Sequence, residues 1–498
     1  MLILEITATI VLAIVIITAL SFDFTNGFHD TANAMATSIS TGALKPFQAV
    51  AISAGLNMIG AFLSVNVAAT VASGIVDLSS YDLTNQAEGI NLLMVVFCAL
   101  IGAIIWNLFT WLLGLPSSSS HALFGGMIGA AFAAMGAGGV EWSSILGKIV
   151  IPAVASPLIA AGVSATATAL VYWITNTIPK ERKASHFRHG QVITACLVSL
   201  AHGAGDAQKT MGVIFLALIA TGNATAEDRI PVLVILACAV AIAAGTLSGG
   251  WRVIRTLGKG LVDLEPPQGM AAEATSAAII LTSAAGGMAL STTHVTTGAI
   301  LGTGLGKKGA TVRWGVAMRM ASAWVITLPC AGVVGYATWW IAALAGRAHP
   351  IVGALLDLAI LLFMVALIVL RSRKNSVSAK NVNEEWDPNA ESIDSSLQTA
   401  ANREVDVNLR EDIDEIMQQG LDKAAEAALV TSQSRADRIV ELRRQRDDLI
   451  EQLRKLDREL EEVLFSDEHL KGERSIPVAA GAGASKTVAA TASESPDK

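Results

Sequence analysis

Long apolar runs separated by short polar breaks fill the first three quarters of the chain, and the pattern stops near residue 371. The runs cover 2–22, 48–75, 92–114, 148–175, 192–221, 230–249, 274–290, 312–345 and 350–370. Runs of about 18 residues or more are long enough to cross a bilayer as helices. The longest of them exceed one hydrocarbon thickness, so they tilt, bend or contain two elements, with Pro329 a natural place to bend. The stretches after Ser117 and Ser291 are too short and too polar for simple spans. They predict re-entrant hairpins, whose irregular backbone has to be buried in protein or line a wet cavity. The pattern therefore predicts an all-α polytopic membrane protein.

The first run, 2–20, reads as a span rather than a cleaved leader. Glu5 sits inside it, Lys45 is the first basic residue, and a polar motif follows at once. Basic residues cluster between the halves (Lys180, Arg182, Lys183, Arg188) and after the last run (Arg371, Arg373, Lys374). By the positive-inside rule both clusters are cytoplasmic, which places the tail there.

Charge divides the chain. The net charge of −7 belongs to the tail, because residues 1–371 hold about 9% charged residues and the remainder about 35%. The predicted organisation is a membrane unit over 1–371, with halves at about 1–178 and 190–371, then a flexible polar linker over 372–402. A helical segment follows over 403–465. In it Ile439, Leu442, Arg446, Leu449, Leu453, Leu456, Leu460 and Val463 step alternately by three and four, as in a coiled-coil seam. Such a seam would dimerise the protein or dock a regulator; an amphipathic helix folded on its own tail fits the spacing equally. The Ala/Gly/Ser/Thr-rich end, 466–498, reads as disordered. The four cysteines lie in apolar sequence without CxxC spacing and read as buried thiols, not as a disulfide frame or metal site.

Candidate chemistry comes from a pattern written twice. Asn26-Gly27-Phe28-His29-Asp30-Thr31-Ala32-Asn33 is followed 91 residues after Asp30 by a serine run ending in His121. His202-Gly203-Ala204-Gly205-Asp206-Ala207-Gln208-Lys209 is followed 88 residues after Asp206 by Ser291-Thr292-Thr293-His294. Glycines lie four and eight residues after each of these last histidines. Interrupted polar segments at corresponding places of two halves point to a transporter's central site. A carboxylate inside a span needs a cation, proton or donor as partner, so Asp30 and Asp206 are expected to carry a small cation or proton. Gly27 and Gly203 are expected to open the helix there and free carbonyls for the same ion. Ser118, Ser119, Ser120, Ser291, Thr292 and Thr293 place hydroxyls at a predicted helix start, a ready seat for a tetrahedral oxyanion. His121 and His294 could donate to that anion, sense pH or fix the hairpin, and His29 stands beside Asp30. Asn33 and Lys209 occupy equivalent places, where a lysine would neutralise Asp206, attract anion or snorkel. Glu273 opens the run leading into the second hydroxyl cluster and is a further cavity candidate.

On these residues the sequence resembles the PiT family of inorganic phosphate transporters. The matching stretches are NGFHDTANAMATS, LPSSSSHALFGGMIGA, SLAHGAGDAQKTMGVI and LSTTHVTTGAILG, in that order, and the likeness spans about 1–371. The resemblance implies two inverted repeats with broken helices and re-entrant hairpins, beside a soluble helical or coiled-coil C-terminal tail. It implies import of inorganic phosphate, in some bacterial members as a metal–phosphate complex, by symport with a proton or sodium. Its acidic residues map onto Asp30 and Asp206, its hairpin hydroxyls onto Ser118–Ser120 and Ser291–Thr293, and its Asp-x-Ala-Asn onto Asn33. The chain departs at Gly205, where the family leads one to expect Asn. The resulting expectation is an integral plasma (cell inner) membrane transporter, not an enzyme, without a cofactor. Its expected partners are phosphate, a coupling cation and the bilayer, with a homo-oligomer and no nucleic acid. The alternatives are another oxyanion such as sulfate, or a membrane anchor for the coiled coil. An intramembrane Ser–His hydrolase is disfavoured, since adjacent Ser120 and His121 would face different directions.

Overall fold

In a computed structural model the described residues are 2–347, 349–375, 377–383, 444–456 and 458–459. The chain divides into a unit up to Ser395 and a second unit beyond it. Among the described residues of the first unit the structure is helical. Two isolated bridges, Val76 with Val140 and Val262 with Val312, tie loops together.

The helices of this unit are α1 (Leu2–Ser40), α2 (Pro46–Gly60), α3 (Asn66–Ser73), α4 (Gln86–Leu112), α5 (Ser119–Met135) and α6 (Trp142–Ile145). There follow α7 (Ile151–Ile174), α8 (Lys180–Ala220), α9 (Val232–Ser248), α10 (Trp251–Lys259) and α11 (Pro266–Ala285). The unit closes with α12 (Thr292–Gly306), α13 (Trp314–Ala345) and α14 (Pro350–Ser372). Six are long and apolar enough to cross a membrane, counting 142–174 as one, or seven if α9 and α10, bent by 67°, form one broken span. The chain is thus a multi-pass membrane protein. The 48–75 run holds two elements, α2 and α3, whereas α13 passes through Pro329 as a single helix.

α4 is the enclosed helix, with 83% of its apolar window buried, against 22% for 142–174 and 28% for α13 and α14. The outer helices turn Leu158, Trp173, Val325 and Phe363 outward, as lipid-facing surfaces require.

α1 and α8 run without a break through both Asp motifs. The expected helix opening at Gly27 and Gly203 is therefore corrected. A methyl group at Gly27 would strike the Ile242 carbonyl of α9, and one at Gly203 the Asn57 backbone of α2. Gly245 and Gly60 return the contact, against Phe24 and Leu200. These glycines serve backbone-to-backbone helix crossing, which small residues permit in membranes. The glycines after the hairpin histidines do the same: Gly125 and Gly129 seat α5 on α13, and Gly298 and Gly302 seat α12 on α7.

In the second unit 444–456 and 458–459 are helical, with Leu449 and Leu456 half-buried and Leu453 exposed. The rest of the predicted 403–465 seam, and 466–498, lie outside the described residues. Val382, within the predicted linker, is fully buried in one of the two hydrophobic clusters of the first unit.

Candidate functional site

The polar residues of α1 recur at steps of three and four: Asp23, Asn26, Asp30, Asn33 and Thr37 are all buried. Ser199, His202, Asp206 and Lys209 repeat these steps on α8 and are buried as well. Each helix thus presents one polar face inward.

The two hairpins are built alike. Gly114 after α4 and Gly287 after α11 take left-handed backbone (φ 66° and 68°), which only glycine adopts cheaply. Leu115 N–H then donates to Thr110 O and Met288 N–H to Ser283 O, both at 2.9 Å. Three residues later Ser118 Oγ accepts from His121 N–H (3.2 Å), and Ser291 Oγ from His294 N–H (3.3 Å). These are side-chain N-caps. They leave Ser119 and Ser120, and Thr292 and Thr293, as the first helical residues, on the positive ends of α5 and α12.

Each hydroxyl run meets the helix of the opposite half. Asn33 Nδ2 of α1 donates to Thr293 Oγ1 at 2.9 Å and Thr292 Oγ1 at 3.3 Å on α12. Lys209 Nζ of α8 donates to Ser120 Oγ on α5 at 2.5 Å. Asn33 and Lys209 are equivalent in the two motifs, as are Thr293 and Ser120, so the two contacts form one crossed arrangement.

The carboxylates meet between them. Asp30, His202 and Asp206 bring one ligand atom each within 4.8 Å of one another. Asp206 Oδ1 accepts from Lys209 Nζ at 2.6 Å, and Oδ2 from Thr292 Oγ1 at 3.4 Å. His202 Nε2 lies 3.4 Å from Asp206 Oδ2 but at an angle that makes no hydrogen bond. Asp30 Oδ1 faces His29 Nδ1 at 2.6 Å, and the far nitrogen of that ring reaches Ser117 Oγ at 3.5 Å. Each Asp therefore has a histidine, although the two histidines come from non-equivalent motif positions. Asp30, Asp206 and Lys209 are at most 1% exposed. A dense set of charges this deep holds together only through mutual pairing.

His121 and His294 lie ring to ring, centroids 4.7 Å apart, where the first turns of α5 and α12 meet. His294 Nδ1 donates to Ala153 O at 3.1 Å, and its ring packs on Trp324 at 4.3 Å. Trp324 Nε1–H in turn donates to Pro116 O at 3.1 Å, so one indole braces both hairpins. Glu273 stands apart. Its oxygens accept from Gln191 (3.1 Å) and Thr194 (2.7 Å) of α8 and from Thr37 (2.5 Å), which lies two helical turns beyond Asp30 on α1.

Sequence reasoning quoted Asn26 only as the start of its motif and passed over Asp23 and Asn57. The first two fall on the same stripe as Asp30, a periodicity that was there to be read. Asn57 joins His202 (3.1 Å) to Thr246 (2.8 Å) across three helices, and its only sequence signal is an amide inside an apolar run.

Comparison with known proteins bears on the whole unit. Residues 26–335 match the Phosphate transporter family. A probable low-affinity inorganic phosphate transporter of Mycobacterium leprae (strain TN) is 58% identical over 377 residues, covering 76% of this chain and 88% of the relative. A protein of the same description from Bacillus subtilis (strain 168) is 42% identical over 328 residues, covering 66% and 96%. In fold the chain is similar to a solved structure titled the sodium-dependent phosphate transporter, with TM-score 0.56, 24% identity and coverage of 67% of this chain and 99% of that one. By the extent of these matches, the chain belongs to the phosphate transporter family.

Proposed function

We propose that the chain is a secondary transporter that imports inorganic phosphate by cation- or proton-coupled symport with alternating access. One observation carries the reading: the crossed contacts Asn33–Thr293 and Lys209–Ser120 converge at two helix N-termini beside the Asp30–Asp206 pair. A tetrahedral anion needs donors and a positive end, and the paired hydroxyl runs at two helix N-termini supply both. A bare carboxylate would repel that anion. A proton or cation on Asp30 or Asp206 removes the repulsion, so coupling ion and phosphate bind cooperatively. Because each hydroxyl run is held by the helix of the other half, a shift of one hairpin against α1 or α8 opens the site to one side. The burial of the site fits a closed intermediate of that cycle. Asn33, His121 and His294 then frame the anion, and His29 and Lys209 set the charge around the carboxylates. The two helix–hairpin halves are read as inverted repeats, and the hairpins as re-entrant.

A second reading, carriage of phosphate as a neutral complex with a divalent metal, has its own support in the Asp30–His202–Asp206 group, whose donors suit such an ion. Both readings are tested by uptake of labelled phosphate into proteoliposomes under an imposed proton or sodium gradient, with and without divalent metal, and with excess sulfate. Phosphate uptake driven by one gradient and indifferent to sulfate is the expected result. A strict requirement for divalent metal selects the complex. Sulfate moving in place of phosphate, or neither moving, refutes the phosphate reading.

A further inference from the structure

Lys209 is among the largest fully buried side chains of the protein. An ammonium in such surroundings has to have its three N–H groups satisfied, and here each is. The acceptors are Asp206 Oδ1 (2.6 Å), Ser120 Oγ (2.5 Å) and the carbonyl of Leu290 (3.1 Å). One carboxylate, one hydroxyl and one backbone carbonyl, all oxygens and drawn from three separate elements, are donors of the kind that a hard monovalent cation such as sodium takes, with solvent or substrate oxygens to complete its shell. They converge on Nζ from α8, from the first turn of α5 and from the residue before the α12 cap.

The other half differs. At the equivalent place stands Asn33, a neutral amide that makes the same reach to the opposite hydroxyl run. Asp30 therefore has no lysine from that position and faces His29, whose charge depends on its protonation. The two carboxylates are matched in the sequence pattern but not in the charge set against them.

We infer that Lys209 is a tethered cation: its ammonium fills the oxygen-lined ion position beside Asp206, so one coupling cation is built into the chain and only the Asp30 half exchanges a mobile one. This rests on the reading that the carboxylates carry the coupling ion. It adds that the transporter moves one fewer mobile cation per anion than it would with a neutral residue at 209. It also predicts that removing the ammonium uncovers a sodium site.

The test uses the full-length protein, purified in detergent, with Lys209→Asn, the residue of the other half, and Lys209→Gln made side by side. Lys209→Arg serves as the charge-retaining control. Thermal midpoints are compared in sodium chloride and choline chloride. A ligand that binds only the folded state raises the midpoint. Lys209→Asn or Lys209→Gln should therefore gain a sodium-specific rise of about 2 °C or more beyond that of the wild type. The rise should be absent from Lys209→Arg and abolished by adding Asp206→Asn. In proteoliposomes the neutral variants should take up phosphate with a steeper dependence on sodium. A sodium response equal to the wild type's, or one that survives Asp206→Asn, overturns the inference. So does failure of both neutral variants to fold in sodium and choline alike, because sodium should replace the ammonium. Wild-type uptake in the same preparation tests the transport reading separately: its loss sinks that reading, whereas an unchanged sodium response in the variants sinks only this one.

Discussion

Asp30 and Asp206, 176 residues apart in the chain, bring carboxylate oxygens within 4.8 Å of each other, each on an unbroken helix and each beside a histidine. Asp206 is already paired with the Lys209 ammonium, whereas Asp30 faces only His29, so a mobile positive charge is called for on the Asp30 side of the pair. Asp30→Asn should abolish or uncouple phosphate uptake, with a loss of at least about tenfold, the equivalent of about 1.4 kcal/mol. Asp206→Asn should do the same; expression should stay near normal for Asp30→Asn, whereas Asp206→Asn leaves the Lys209 ammonium buried without its carboxylate and should lower stability as well. Full gradient-driven uptake by both variants would sink the mechanism.

The Asn33–Thr293 contact joins the halves through one amide–hydroxyl hydrogen bond. Such bonds contribute about 0.5–1.5 kcal/mol net. Asn33→Ala or Thr293→Ala should therefore weaken phosphate uptake by about threefold to tenfold, seen in KM. The double variant should lose less than the product of the two, since the partners share one interaction. Strict multiplicativity would show that the two act independently.

Close helix crossing at glycine makes a stability prediction. Gly129→Ala and Gly302→Ala place a methyl group on the backbone of Gly332 and Ala161. Each should destabilise the purified protein by about 1–3 kcal/mol. Gly162→Ala, on α7 with open space at its Cβ, should be neutral or stabilising by up to about 1 kcal/mol. Equal melting shifts at all three positions would count against the crossings as described.

Glu273 accepts three hydrogen bonds from Thr37, Gln191 and Thr194, away from the Asp pair. Glu273→Gln should lower the melting midpoint while leaving the ion dependence of uptake unchanged. A changed ion dependence would place Glu273 in the coupling machinery.

The tail can be cut at a defined place. Removing residues 384–498 should leave uptake intact, as expected of a transporter and not of an anchor. Starting the deletion at 375 should in addition lower the midpoint, because burying a valine side chain such as Val382 is worth about 1.5–3 kcal/mol. Loss of uptake with the shorter deletion would tie transport to the tail.

Most of this arrangement could be read from the chain in advance, because membrane burial makes polar residues conspicuous. Asp30, Asp206 and the two hydroxyl runs stood out against apolar sequence, and the structure gathers them. The duplicated glycines stood out too, but their purpose did not. Gly27 and Gly203 read as helix breakers when considered along the chain, yet they are contact points for α9 and α2, elements whose approach the local sequence cannot reveal. The split of 48–75 into α2 and α3, the bend into α10 and the burial of Val382 are likewise decided by packing. Asn57 joins partners 145 and 189 residues away, a relationship that no spacing encodes.

The crossed contacts have a consequence for how such a chain could arise. Asn33 needs the hydroxyls of the later half, and Lys209 needs the serine of the earlier one. A half-length forebear could complete neither contact within a single polypeptide; it would have had to work as a pair of identical molecules. In such a pair the same side chain would occupy both positions. A single chain carrying both halves is under no such constraint: it can hold a lysine at one position and an asparagine at the other, as this one does.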